Sequence, residues 1–360
     1  MLKIIDIYII KKFLGTFFYA ISLLILIVII FDVSENIDSF IQKEAPLGAI
    51  IFDYYMNFIP YFINLFIYLF TFISVIFFTS KLAGNTEIIA ILSSGVSFRR
   101  LLVPYMISAV LLAVMSFYLG NFLIPKTNQV RRVFKNNYME NLTKDKSKNL
   151  HLQISPGTFA YVESYNSKKQ TGHKFSIEKF EEQELVYKLM ADRLFLDTIN
   201  NNWKLKNYYI RTIDSVGQQT LIKGTEMDTT FNLKPEDLYK IKEEFEEMDY
   251  FELNAEIEAE KQKGSQAYKK YEVEKNKRTS GPVAIIILTI IGVSLSSRKV
   301  RGGIGMHLGV GIALTFSYIL LMQVSTVFST FGNLSPLIAS WIPNIIFTFI
   351  AIYLLIKAPK

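Results

Sequence analysis

Six stretches of the chain, 13–31, 58–79, 103–124, 279–297, 304–327 and 337–356, contain no Asp, Glu, Lys or Arg. Each runs for roughly the 20 residues that an α-helix needs to cross the hydrocarbon core of a bilayer. In lipid every backbone N–H and C=O must be bonded inside the segment, so these stretches fold as helices. Three come before a polar middle and three after it. Of the 71 charged side chains, 52 (27 basic, 25 acidic) fall between 126 and 280, which makes the middle a water-facing domain inserted between two triplets of spans. The start is basic (Lys3, Lys11, Lys12) and leads into the first apolar run, but the following DVSENIDSF offers no small-x-small cleavage site. The run is expected to stay as the first span.

Orientation follows from the twelve Lys/Arg outside the middle. Lys3, Lys11, Lys12, Lys81, Arg99, Arg100, Arg298, Lys299, Arg301, Lys357 and Lys360 fall on one side and only Lys43 on the other, where Asp32, Glu35, Asp38, Glu44 and Asp53 gather. The positive-inside rule then places both termini and the 80–102 connector in the cytoplasm, and the middle domain outside.

Within that domain, residues 149–233 read as strands. NLHLQIS, TFAYVES and FSIEKF alternate, as do LVYKLMADRLFLD and WKLKNYYIR, with turn signals at Asn200–Asn202 and Ser215–Gly217. The period turns helical from Pro235, and AYKKYEVEKNKR leads into the fourth span. The expected fold is an α+β membrane protein: spans over 1–125 with a short helix near 85–95, a jelly-roll-like β-domain over 126–234, a helical connector over 235–278 and spans again over 279–360.

Several functions are excluded or unsupported. The absence of cysteine removes disulfides, thiolate catalysis and Cys-based metal sites. No G-x-x-x-x-G-K-[ST] occurs, so the chain does not hold nucleotide through a P-loop. His151, His173 and His307 stand apart without metal-ligand spacing, and no cofactor is expected. The net charge of +7 falls to +2 in the middle domain (27 minus 25), so nucleic acid is not an expected partner. No Asp, Glu, Lys or Arg sits near mid-bilayer, whereas ion-coupled carriers keep such relays there. The spans instead offer Phe, Ile and Leu, which suits a lipidic cargo as well as it suits simple contact with lipid.

Two local patterns stand out. In NTEIIAILSSG, Asn85 or Thr86 can cap a helix, Glu87 sits in its first turn, Ile88, Ile89, Ile91 and Leu92 recur at helical spacing, and Gly95 ends it. A short amphipathic helix between two spans can receive force from a soluble partner; it can equally be a compact interfacial loop. The fifth span opens RGGIGMHLGVG, with Gly305 and Gly309 four apart, spacing that lets two helices approach closely, within the subunit or with a second one.

Taken together, IDIYIIKKFLGTF, NTEIIAILSSGVSFRRLLVP, ISPGTFAYVE, NNWKL and the run FELNAEIEAEKQKGSQAYKKYEVEKNKRTSGPVAIIILTIIGVSLSSRKVRGGIG resemble the lipopolysaccharide-export permease family of the LptF/LptG type, in order and over essentially the whole chain. The resemblance implies a half-permease of the bacterial inner membrane. It would pair with a paralogous subunit and two copies of a cytoplasmic ABC-type ATPase, lift lipopolysaccharide from the outer leaflet, and pass it to a periplasmic jelly-roll bridge. It implies that Glu87, on the helix carrying Ile88, Ile91, Leu92 and Gly95, docks in a groove of the ATPase, and that the first and fifth spans form lateral gates. Basic residues near the outer end of the first span contact lipid phosphates in the family; here that end is acidic and Lys43 is the sole candidate. A lipid crossing water needs an apolar trough, for which Phe159, Tyr161, Phe175, Ile177 and Leu205 are the candidates, and a closed sandwich core would use such residues too. The competing class is a membrane-anchored scaffold or sensor whose β-domain binds a partner without transport.

Overall fold

The computed structural model describes residues 3–139, 147–166, 169–197, 202–214, 216–238, 244–298 and 303–358. The chain divides into two compact units, one of Met1–Phe134, Phe245–Tyr250 and Lys269–Lys360, the other of Lys135–Glu244 and Phe251–Tyr268.

The first unit is helical. Its six long apolar helices are α1 (Ile4–Gln42), α2 (Leu47–Gly84), α4 (Phe98–Tyr138), α6 (Tyr268–Ser296), α7 (Gly303–Phe331) and α8 (Pro336–Ile356). A seven-residue helix, α3 (Glu87–Ser93), joins α2 to α4; the remaining helix, α5 (Tyr250–Gln262), belongs beyond Tyr250 to the second unit. α4 does not stop with the apolar run at 124. It passes through a π-helical turn, Leu119–Leu123, and carries Lys126, Arg131, Arg132 and Lys135 on the same helix. Likewise AYKKYEVEKNKR and the apolar run after it share one continuous helix from Tyr268.

α6 is the most enclosed helix, with 67% of its most apolar window buried, against 17% for α1 and 22% for α7. Small residues let its neighbours close in: a Cβ at Gly292 would meet Phe72 and Val75, and one at Gly311 would meet Phe72 and Ile76, so the Phe72 face of α2 receives both α6 and α7. Polar bonds fix the pairing where no water competes. Tyr318 donates to Asn344 Oδ1 at 2.9 Å and Asn344 Nδ2 to the Ser280 carbonyl at 2.7 Å, tying α6, α7 and α8. Ser80 Oγ meets His307 Nδ1 at 2.9 Å between α2 and α7. Arg278 on α6 donates to the carbonyls of Phe245 and Met248, each at 2.7 Å, and holds Glu274 at 2.9 Å.

The second unit is built on six antiparallel strands: β1 (Ser147–Ser155), β2 (Thr158–Asn166), β3 (Thr171–Glu181), β4 (Glu184–Asp197), β5 (Asn202–Ile213) and β6 (Gln219–Thr229). They pair strictly with their neighbours in one sheet, β1-β2-β3-β4-β5-β6. The inserted antiparallel β-domain is as expected; the described pairing is a meander rather than two facing sheets. The turn residues Asn200, Asn201 and Ser215, and the cations Lys299, Arg301 and Lys360, lie outside the described residues.

Alternation along the strands breaks on one line. Asn149, Lys174 and Asn207, on β1, β3 and β5, all have positive φ (54°, 49° and 50°), and each falls at the same level of the register. Across that line the inward set steps by three residues instead of two: Val162 to Tyr165, Ala191 to Leu194. A left-handed residue on every other strand switches the face without losing strand pairing. The inward face gathers Leu150, Val162, Phe175, Leu189 and Leu194, and Leu233 and Leu238 from the chain after β6 join them. Trp203 donates from its indole to the Leu233 carbonyl at 3.1 Å, which satisfies its one polar atom inside this core.

Candidate functional site

The residues that the sequence singled out gather first at the α3 end of the helical unit. Ile88 is buried at 1% exposure in one cluster with Ile9, Phe13, Leu82, Phe98 and Leu101, with Ile91 and Leu92 packed against it. α3 thus sits on the starts of α1 and α4. Its other face is open: Ile89 is 53% exposed, and Glu87 is half-buried with its Oε1 accepting from Asn85 Nδ2 at 3.1 Å. The termini of α3 follow expectation in part. Gly95 takes φ +87°, the left-handed stop that glycine favours. The N-cap is Thr86, itself left-handed at φ 62° with no side-chain cap bond. Its hydroxyl donates back to the Asn85 carbonyl at 2.6 Å, so Glu87 is held by Asn85 rather than by a capping box.

Sequence reasoning missed the pair beneath α3. Arg100, in the first turn of α4, donates from Nη1 and Nη2 to the two carboxylate oxygens of Asp6 at 2.8 and 2.6 Å. Asp6 is 1% exposed and also accepts from the Lys3 backbone N–H at 2.7 Å. Ile91 and Val96 line the same small recess. The only signal in the sequence was one acid in a basic N-terminal segment, and Arg100 served there merely to count charge.

At the opposite end of the bundle, α2 begins with a π-helical turn, Ile50–Tyr55. Wide turns of this kind re-aim side chains. Here two successive phenols reach one carboxylate: Tyr54 and Tyr55 donate to Asp32 Oδ1 and Oδ2 of α1 at 3.2 and 3.0 Å. Tyr54 also meets Phe40 of α1 edge-on at 5.9 Å and Phe134 of α4 in a tilted contact at 5.2 Å between centroids. Arg131 lies over the rings of Phe58 and Tyr61 at 5.9 and 5.3 Å, and Arg132 pairs with Glu247 at 3.0 Å. Lys43 is exposed, and its backbone N–H closes the C-terminus of α1 on the Ser39 carbonyl. The cations of this end therefore come from the continuation of α4 and from the first turns of α6, both of which read in sequence as part of the polar middle.

Gly305 and Gly309 of α7 face open space: a Cβ at either would meet nothing within 4 Å. Among the described residues nothing packs on their seam, and Gly311 is the α7 glycine against which Phe72 and Ile76 close. Of the five trough candidates, Phe175, Ile177 and Leu205 are buried on the inward face of the sheet. Phe159 and Tyr161 are corrected to the other face. Ala160 pairs with Ile177 and Val162 with Phe175, so Ala160 and Val162 point inward and their aromatic neighbours outward. There Phe159, 44% exposed, meets the Phe180 ring at 6.0 Å, and Tyr161 packs on His151 at 4.7 Å. Cross-strand aromatic contacts of this sort stabilise a solvent face as readily as a core. Among the described residues no group of three His, Asp or Glu side chains could hold a metal ion.

The family described as lipopolysaccharide export system permease LptF/LptG matches residues 7–357. No curated protein matches the chain.

Proposed function

The chain belongs to the lipopolysaccharide export permease family LptF/LptG, and we propose that it is one of two permease subunits driven by a cytoplasmic ATPase pair docked on α3. As a member of that family it is a transmembrane subunit and not itself an ATPase. The observation that carries the docking is α3 itself. Its buried edge, Ile88, is fixed to the starts of α1 and α4, while Ile89 is exposed and Glu87, at the first position of the helix, is only half-buried. A partner that pushes on Glu87 and Ile89 therefore pushes on two spans at once.

The charge asymmetry supports an arrangement with α3 and both termini in the cytoplasm and the β-domain in the periplasm of a bacterial inner membrane. α1 and α7, the least enclosed helices, and the open Gly305–Gly309 seam of α7 supply surface for the paralogous subunit and for a gate through which lipid enters. At the outer end, Lys126 and Arg131 of α4 join Lys43 as contacts for cargo phosphates. The lipid then passes the apolar face of the β-sheet (Phe175, Ile177, Leu205) on its way to a periplasmic bridge protein, because acyl chains cannot cross water uncovered at about 0.8 kcal/mol per CH₂.

The test is assembly. Gentle purification of the full chain brings down a nucleotide-hydrolysing partner whose retention depends on Glu87. Isolation with a periplasmic or signalling partner and no ATPase would instead favour the scaffold reading.

A further inference from the structure

Opposite charges tile the solvent face of the sheet. Lys174 meets Glu163 at 2.7 Å, Lys188 meets Glu178 at 2.7 Å, Lys206 meets Glu226 at 3.1 Å and Lys204 reaches Asp228 at 3.8 Å. Each pair bridges neighbouring strands, where unlike charges stabilise and like charges directly opposite destabilise.

One row departs from this pattern. His173 on β3 lies opposite Arg193 on β4, and Arg193 lies opposite Lys206 on β5. His173 and Arg193 are exposed, and neither side chain has a partner among the described residues. Lys206 already holds Glu226 and stands over the Phe195 ring at 5.6 Å. The unmatched bases border a cleft of about 380 Å³ shared with Ser164, Asn166, Lys169 and Phe195, and no carboxylate lines it among the described residues. Its size falls within the roughly 300–1,000 Å³ of small-ligand sites.

We propose that this cleft binds an anionic saccharide, the charged sugar head of the exported glycolipid. An exposed guanidinium with no partner offers a two-pronged donor to phosphate or carboxylate. The Ser164 hydroxyl and the Lys169 ammonium add polar groups for an anion and for sugar hydroxyls. The division of labour follows from the pleat: acyl chains belong to the inward face of Phe175 and Leu205, and the sugar to the outward face of the same strands. Strand alternation therefore sorts the two halves of an amphipathic cargo. The proposal rests on the reading that the cargo passes this domain.

The test uses the full-length chain in lipid nanodiscs, titrated with the core oligosaccharide released from lipopolysaccharide by mild acid, with a neutral malto-oligosaccharide and with inorganic phosphate. The core oligosaccharide binds and the neutral sugar does not. Phosphate displaces it only at far higher concentration, added salt weakens it, and Arg193→Glu weakens it about tenfold or more, as expected when a charge partner is reversed. Arg193→Gln, which removes the charge but keeps a polar, hydrogen-bonding side chain, gives an intermediate loss and decides the matter if the reversal perturbs folding. Equal binding by both variants, equal binding of the neutral sugar, or displacement by phosphate at matched concentration would overturn the proposal. So would loss of a protein partner from the variants with oligosaccharide binding intact. If lipopolysaccharide still crosslinks to the inward face while no oligosaccharide binds, the saccharide site fails and the transport reading stands.

Discussion

Arg100 and Asp6, far apart in sequence, form a two-pronged ion pair at 2.6 and 2.8 Å that fastens the first turn of α4 to the first turn of α1 beside α3. Asp6 is buried while Arg100 keeps about a third of its side chain in water. Removing the cation therefore leaves the Asp6 carboxylate without its main partner. Arg100→Ala is expected to keep the complex assembled but loosen α3 from α1, so that ATP turnover continues while cargo release per ATP falls several-fold. The exchange Asp6→Arg with Arg100→Asp should recover part of that ratio. A purely structural pair would lower both rates together.

Glu87→Lys addresses docking directly. Placing a cation where a carboxylate enters a basic groove costs about 2–5 kcal/mol at a desolvated contact. ATPase retention during purification should drop by tenfold or more, with α3 itself intact because, among the described residues, the Glu87 side chain bonds only to Asn85. Normal assembly and cargo-stimulated hydrolysis in this variant would remove Glu87 from the interface.

Lys263 makes the β-domain sensitive to alkali. It is 6% exposed, and its ammonium donates to Glu260 at 2.8 Å and Asp237 at 3.4 Å. Burial works to lower its pKa, but the Glu260 hydrogen bond and the Asp237 charge outweigh it and hold the group above the ordinary 10.5. A lysine with a raised folded pKa stabilises fully below its unfolded value, and the contribution fades as pH climbs through the folded value. Hydrogen exchange in 231–238 and 250–264 should therefore accelerate above about pH 10.5 in the wild type. In Lys263→Met that region should be destabilised by about 3 kcal/mol already at neutral pH, because two carboxylates lose their buried cation.

Orientation can be read with single cysteines, since the natural chain has none. Ser94 and Val216 are both exposed. In intact cells an impermeant thiol reagent should label Val216→Cys and spare Ser94→Cys. The reverse pattern would move α3 to the wrong compartment for an ATPase.

What the sequence made legible was whatever depends on solvent partition. Six charge-free runs can only be spans, and the alternating middle can only be strands; α3 was visible because four apolar residues at helical spacing ended at a glycine. What stayed hidden depends on single backbone angles and on distant partners. The left-handed residues Asn149, Lys174 and Asn207 are not glycines, so nothing in the pattern announced the line where the inward face shifts. On β2 the larger side chains, Phe159 and Tyr161, suggested the core, yet register assigns that face to Ala160 and Val162. The basic continuation of α4 was read as domain because charge ends an apolar run long before it ends a helix.

Cargo capture on the β-domain, in a complex that hydrolyses ATP, tests transport most directly. Tyr187 and Tyr208 are partly buried against the inward face of the sheet, and p-benzoylphenylalanine keeps the ring of a tyrosine there while extending a photoreactive benzoyl group from its para position. In proteoliposomes holding the assembled complex and lipopolysaccharide, irradiation should yield a lipopolysaccharide adduct at either position that grows with ATP, and that Glu87→Lys abolishes. An adduct of equal yield without ATP, or crosslinks confined to protein at both positions while ATP is being hydrolysed, would contradict a cargo path over this face.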